Sequence, residues 1–140
     1  MTPQTAALME SAGLSLSEAR RILEIDIPRQ AARLAYYAQF HAAQALIFER
    51  TGKIAKTHKG VRAQFHRLAR MERRLAPGLS VDLTAAYHFK EAADYESGTL
   101  NTISSDDAIE ALQAADHFVA SIRNALVSDQ LSKTSETDNS

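Results

Sequence analysis

From Leu34 to Phe48 the chain runs for 15 residues without a charged side chain. The stretch contains Gln39, His41 and Gln44 and is too short and too polar to cross a bilayer. It must instead find its apolar surroundings inside the protein. Leu34, Ala38, His41, Ala45 and Phe48 fall along one helical stripe, with Ala31, Ala35, Ala42 and Leu46 beside it. Small residues in such a stripe let neighbouring helices approach closely, which predicts the central helix of a bundle. Pro28 suits the first turn of that helix and Gly52 suits its end, giving a range of about 28–51.

The rest of the chain supplies partners for this helix. Leu8, Ala12, Leu16, Ala19 and Leu23 predict a helix over about 4–25, which Ser15 and Glu18 could restart as a capping box. Thr57 is a candidate N-cap for a third helix over 58–74, with Val61, Phe65 and Leu68 on its apolar side. A fourth helix, about 80–97, places Leu83, Ala86, Tyr87, Lys90 and Asp94 on one stripe before Gly98 stops it. Ser104, Ser105, Asp106 and Asp107 open a fifth, whose run from Ala108 through Phe118 and Val119 to Leu126 keeps helical period. With 140 residues, no cysteine, five glycines and three prolines, the expectation is a single all-α domain. It should be an up-and-down bundle of four to five helices over 1–128, followed by a disordered polar tail over 129–140. The absence of cysteine fits a reducing compartment, and no basic patch followed by an apolar run opens the chain, so a cytoplasmic location is expected.

A net charge of -1 conceals an uneven distribution. Residues 50–74 carry nine basic side chains against Glu72 alone, whereas residues 75–140 carry three basic and eleven acidic ones. This asymmetry creates a positive face able to meet polyanions, or a basic helix balanced by an acidic neighbour.

Familiar catalytic motifs are absent: there is no phosphate-binding glycine loop, nucleophile elbow or dinucleotide fingerprint. His88 and Glu91 form the one helical pair of metal-ligand type, so no metal site is expected. His41, inside the apolar stripe, reads as a hydrogen-bonded core histidine. Two places can carry chemistry. At Thr57, His58, Lys59 and Gly60, backbone N–H groups at a helix start, a lysine and a glycine permitting close approach could hold a phosphate, or simply form an ordinary capped helix. In the run from Tyr87 to Tyr95, Lys90 and Asp94 stand four apart, as a surface ion pair would.

The string from Ala35 to Leu46, the triplet His58, Lys59, Gly60 with Phe65 behind it, the run Ala92, Ala93, Asp94, Tyr95, and the late helix with Phe118 and Val119 together resemble the HEPN domain over about residues 5–126. The resemblance implies a helical bundle that commonly dimerises, and, for its small prokaryotic branch, a minimal nucleotidyltransferase partner in a toxin–antitoxin-type pair. It also implies metal-independent ribonuclease chemistry without a cofactor, in which the RNA 2′-hydroxyl attacks its own phosphate. The family places an arginine and, four to six residues later, a histidine on its fourth helix. Here Lys90 stands at the arginine position, and Tyr95, Glu96 and Ser97 follow where the histidine would be.

The expected function is therefore binding of RNA or nucleotide through His58, Lys59, Gly60, Arg62, Arg67 and Arg70 in company with the nucleotidyltransferase. Two alternatives stand beside it. One is an active ribonuclease with a variant site of Lys90, Asp94 and Tyr95, helped by His58 or His88 from an adjoining helix or subunit; the other is a non-catalytic adaptor. Tyr95 is also a candidate for modification by the partner enzyme.

Overall fold

The computed structural model describes residues 1–95 and 103–138, with residues 130 and 132–138 described by their backbone alone. Five helices follow in order: α1 Pro3–Glu24, α2 Pro28–Thr51, α3 His58–Ala69, α4 Leu79–Asp94 and α5 Ser105–Asp138. The result is an all-α up-and-down bundle. Among the described residues no helix is long and apolar enough to cross a membrane.

Local chemistry accounts for most of the boundaries. Thr2 caps α1 through a 3.1 Å bond from the Thr5 N–H, and Pro3 occupies the first turn. Gly13 does not interrupt this helix, so no restart occurs at Ser15. A three-residue link, Ile25 to Ile27, then turns the chain, with Asp26 in the left-handed region at φ 61°. Gly52 ends α2 at φ 73°, donating its N–H to Phe48 O at 2.8 Å.

Three helices differ in length from the sequence expectation. α3 stops at Ala69 rather than 74, because Leu68 O closes the helix by accepting the N–H groups of both Met71 and Glu72 at 3.0 Å. Glu72 is then held by Arg50 of α2. α5 continues to Asp138, so the backbone over 129–138, expected as a disordered tail, is helical. Its first residues beyond 128 have a tertiary role, since Asp129 pairs with Arg50 at 2.5 Å and with Arg74 at 2.9 Å. α4 ends at Asp94, and the expected stop at Gly98 lies outside the described residues.

α2 packs against all four other helices, α1 most extensively. Nearly its whole circumference is consequently covered: Ala31, Ala35, Ala38, Ala42, Ala43 and Ala45 are buried together with Tyr36, Leu46 and Ile47. Of the expected stripe, Ala38 and Ala45 are buried, but its larger members differ. Leu34, His41 and Phe48 are half-buried along its least covered line, because helices on every other side take the remaining faces. Further along the bundle, Phe65 of α3 and Phe118 of α5 are fully buried with ring centroids 5.1 Å apart.

Candidate functional site

The beginning of α3 meets α2 and α4 at a cluster of rings and charges. Thr57 fixes it there by accepting the Gly60 N–H at 2.9 Å. A Cβ at Gly60 would lie 2.7 Å from Thr57 Oγ1, so glycine lets this cap close. Capping places the His58 ring among Tyr36, Phe40 and Tyr87, with centroid distances of 5.6, 5.0 and 5.6 Å. One α3 turn later, the Arg62 guanidinium lies 3.8 Å from the centroid of the Tyr87 ring, a cation–π contact. Arg62 Nη1 is buried without a hydrogen-bond partner among the described residues.

On α4, Lys90 Nζ lies 2.8 Å from Asp94 Oδ2, and Arg33 Nε of α2 lies 2.9 Å from Asp94 Oδ1. Asp94 thus bridges two cations from different helices. Lys90 is more deeply set than an ordinary surface lysine, its side chain being 15% exposed. Its hydrogen bond to Asp94 raises its pKa, outweighing the opposing effect of desolvation, and keeps it charged.

Tyr36 Oη and His58 Nδ1 are 2.6 Å apart. Burial raises the Tyr36 pKa well above the ordinary phenol value, against the opposing influence of Arg62, so its hydroxyl keeps its proton. Burial is also the main cause of a lowered His58 pKa, reinforced by the charges of Lys90 and Arg62 and opposed by Asp94 and Glu91. A neutral His58 accepting at Nδ1 from Tyr36 carries its own proton on Nε2, which makes it a hydrogen-bond donor at neutral pH.

This environment predicts a pH effect. The unfolded chain takes up a proton at a histidine more readily than folded His58 does. Stability from this group is therefore full above about pH 6.5 and declines as pH falls toward the lower folded pKa. In thermal melts between pH 8 and 5, His58→Gln should lose less stability on acidification than the parent; parallel losses would contradict the assignment.

The expected site residues separate into two groups. Lys90, Asp94, His58 and Arg62 come together. Tyr95 is 74% exposed at the end of α4, its N–H bonded to Glu91 O at 3.2 Å, and its side chain has no contact with the cluster among the described residues. Lys59, Arg67 and Arg70 are exposed. Of the amides considered for phosphate, that of Gly60 is taken by the Thr57 side chain at 2.9 Å, and the next one along, that of Val61, by the Thr57 carbonyl at 2.9 Å. His88 is exposed on α4 and lines a separate cavity with His66, whereas His41, read from sequence as a core histidine, is hydrogen-bonded to Gln44 Oε1 at 3.2 Å but only half-buried.

Arg33, Tyr36, Tyr37 and Tyr87 join the cluster without having been singled out as site residues. Tyr87, Lys90 and Asp94 shared one helical stripe, which was a usable signal; nothing local marked Arg33, whose role depends on α2 passing α4. The basic stretch is also partly balanced from within, since Arg50 and Arg74 engage Glu72 and Asp129.

The chain is 33% identical over 115 residues to a UPF0332 protein of Archaeoglobus fulgidus, covering 79% of this chain and 86% of that one. It is 32% identical over 120 residues to the Methanocaldococcus jannaschii protein named "Putative toxin MJ0605", covering 86% and 87% respectively. In fold it is similar to the crystal structure of TT1696 from Thermus thermophilus, with a TM-score of 0.75 at 18% identity over 89% of this chain and 99% of that one. Residues 5–125 match the HEPN domain, and the chain belongs to that family.

Proposed function

We propose that this HEPN protein is the toxin-like member of a pair with a minimal nucleotidyltransferase, working as a cytoplasmic homodimer that binds RNA or a nucleotide through His58, Arg62 and Lys90. The observation that carries the reading is Arg62, whose guanidinium engages Tyr36 and lies on Tyr87 while its buried Nη1 is left without a hydrogen-bond partner among the described residues. A buried charged donor left unmatched is costly, and a phosphate oxygen would satisfy it. Lys90 and the Nε2–H of neutral His58 add charge and a further donor. Tyr37 and Tyr87 offer aromatic surface against which a base can stack. The toxin name of the Methanocaldococcus relative supports the toxin-like part of the reading.

The second reading is a variant ribonuclease, favoured by the meeting of His58 from α3 with Lys90 from α4, whose charge acts on the imidazole. In that reading Lys90 stabilises charge on the phosphate while His58 Nε2–H donates to it. Lys90 lacks the planar fork of an arginine.

Both readings are tested by incubating labelled single-stranded RNA with purified protein, with and without EDTA, beside Lys90→Ala. The proposal expects RNA to be retained intact at low salt and Lys90→Ala to bind roughly tenfold more weakly, the loss of one charge-assisted contact. Unchanged retention by that variant would sink it. Cleavage that survives EDTA and disappears in Lys90→Ala would instead establish the ribonuclease.

A further inference from the structure

A second cavity lies between α2, α4 and α5, built by residues outside the cationic cluster. It measures about 180 Å³ and is lined by Gln39, Asp82, Ala85, Ala86, Phe89, Glu110, Ala111 and Ala114. Its walls are small and apolar. Gln39 contributes a buried polar group to the lining: the residue is 1% exposed, and its Oε1 has no hydrogen-bond partner among the described residues. Gln44, the other buried glutamine of α2, is by contrast bonded to Ala55 O at 2.8 Å and to His41. A buried amide oxygen with nothing to accept is costly enough to need a physical explanation.

The lining also has a definite sign of charge. Asp82 and Glu110 are its ionisable residues, they come from different helices, and neither has an ion-pair partner among the described residues. No lysine, arginine or histidine lines the space among the described residues. A ligand that fits must therefore bring a hydrogen-bond donor for Gln39 and positive charge for the two carboxylates. Its stem must be apolar, to lie against the alanines, and the Phe89 ring adds aromatic surface of the kind ammonium groups favour. The volume is several times the roughly 30 Å³ share of one water, yet below the roughly 300 Å³ at which drug-sized pockets begin. That excludes a nucleotide and suits a short chain.

We propose that this cavity is a binding site for an alkylammonium group, with Gln39 as the acceptor in its interior and Asp82 and Glu110 as the counter-charges. Such a group is available from a free aliphatic amine or from a lysine side chain of a partner protein. The site is independent of the RNA-binding reading, since it shares no residue with His58, Arg62 or Lys90.

The test uses the full chain and three probes followed by amide chemical shifts and calorimetry: 1,4-diaminobutane, butylamine, and lysine capped at both backbone ends. Saturable binding is expected, with shifts concentrated at Gln39, Phe89 and Ala111. Butanol, which has the stem without the charge, should fail to bind. Gln39→Leu keeps a similar volume and removes the unmatched oxygen. It should melt no lower than the parent while binding amine at least tenfold more weakly. Should that core variant misfold, Asp82→Asn combined with Glu110→Gln provides a near-surface alternative and should weaken binding by a similar factor while flattening its salt dependence. Tight binding of the free amines and not capped lysine assigns a small-molecule ligand; the reverse assigns a partner's lysine. Absence of saturable binding by all three probes, or equal binding by Gln39→Leu and the parent, would overturn the proposal and leave the cavity to water.

Discussion

Phe65→Ala should cost the fold about 3–5 kcal/mol, the usual range for emptying a core aromatic position. Phe65 is fully buried and meets Phe118 across the interface between α3 and α5, so truncation removes its apolar burial and one half of an aromatic pair. α3 is also the short helix of the bundle, with only Val61 and Phe65 buried along its length. Losing one of two anchors leaves little to hold the helix that carries His58 and Arg62. For a chain of this size the midpoint of thermal unfolding should fall by roughly 10–15 °C. The cationic cluster should loosen with it. A drop of only a few degrees in calorimetry would show that the site on α3 is held from elsewhere.

Arg62→Ala should reduce RNA affinity roughly 10- to 100-fold at low salt, corresponding to loss of a charge-assisted contact worth about 1.5–3 kcal/mol. The slope of log affinity against log salt should become shallower by about 0.7, one single-strand phosphate contact. Arg67→Ala combined with Arg70→Ala removes two charges from the same helix region, but both residues are exposed and stand apart from the His58 and Lys90 cluster. Their combined loss should be smaller than that of Arg62 alone. Filter binding over a salt series separates the two cases. If the Arg67 and Arg70 double variant is the more damaged, the interface is a diffuse basic face and the contact of Arg62 with Tyr87 is incidental to it.

Arg62, Arg67 and Arg70 also show where sequence reading reaches its limit. Helical period identified all five helices, since α2 and the beginning of α3 are bounded by residues with strong local preferences: Pro28, Gly52 and Thr57. The end of α3 was less legible because Glu72 answers to Arg50, a contact made across 22 residues. The same limit applied to α5, whose polar continuation includes Asp129, a partner for Arg50 and Arg74 that only the packed bundle supplies. In the candidate site, charge counting could name three arginines but could not distinguish them. Burial against Tyr87 distinguishes Arg62, and that depends on how α3 lies against α4. Lys90 and Asp94 were visible as a helical pair, while Arg33, which turns the pair into a three-residue bridge, was not.

The encirclement of α2 has a consequence for how the molecule comes apart. A bundle whose helices pack in a ring can shed one member and leave the others largely in register. Here each of the other helices uses α2 as a wall, and α2 offers alanines on several sides. Detaching any one of them uncovers the shared axis, while α3 and α4, which cover the candidate site, have the smaller stakes in it. Local opening therefore belongs to the rim, where a ligand must enter, and the amides of the axis should be the last to exchange with solvent deuterium.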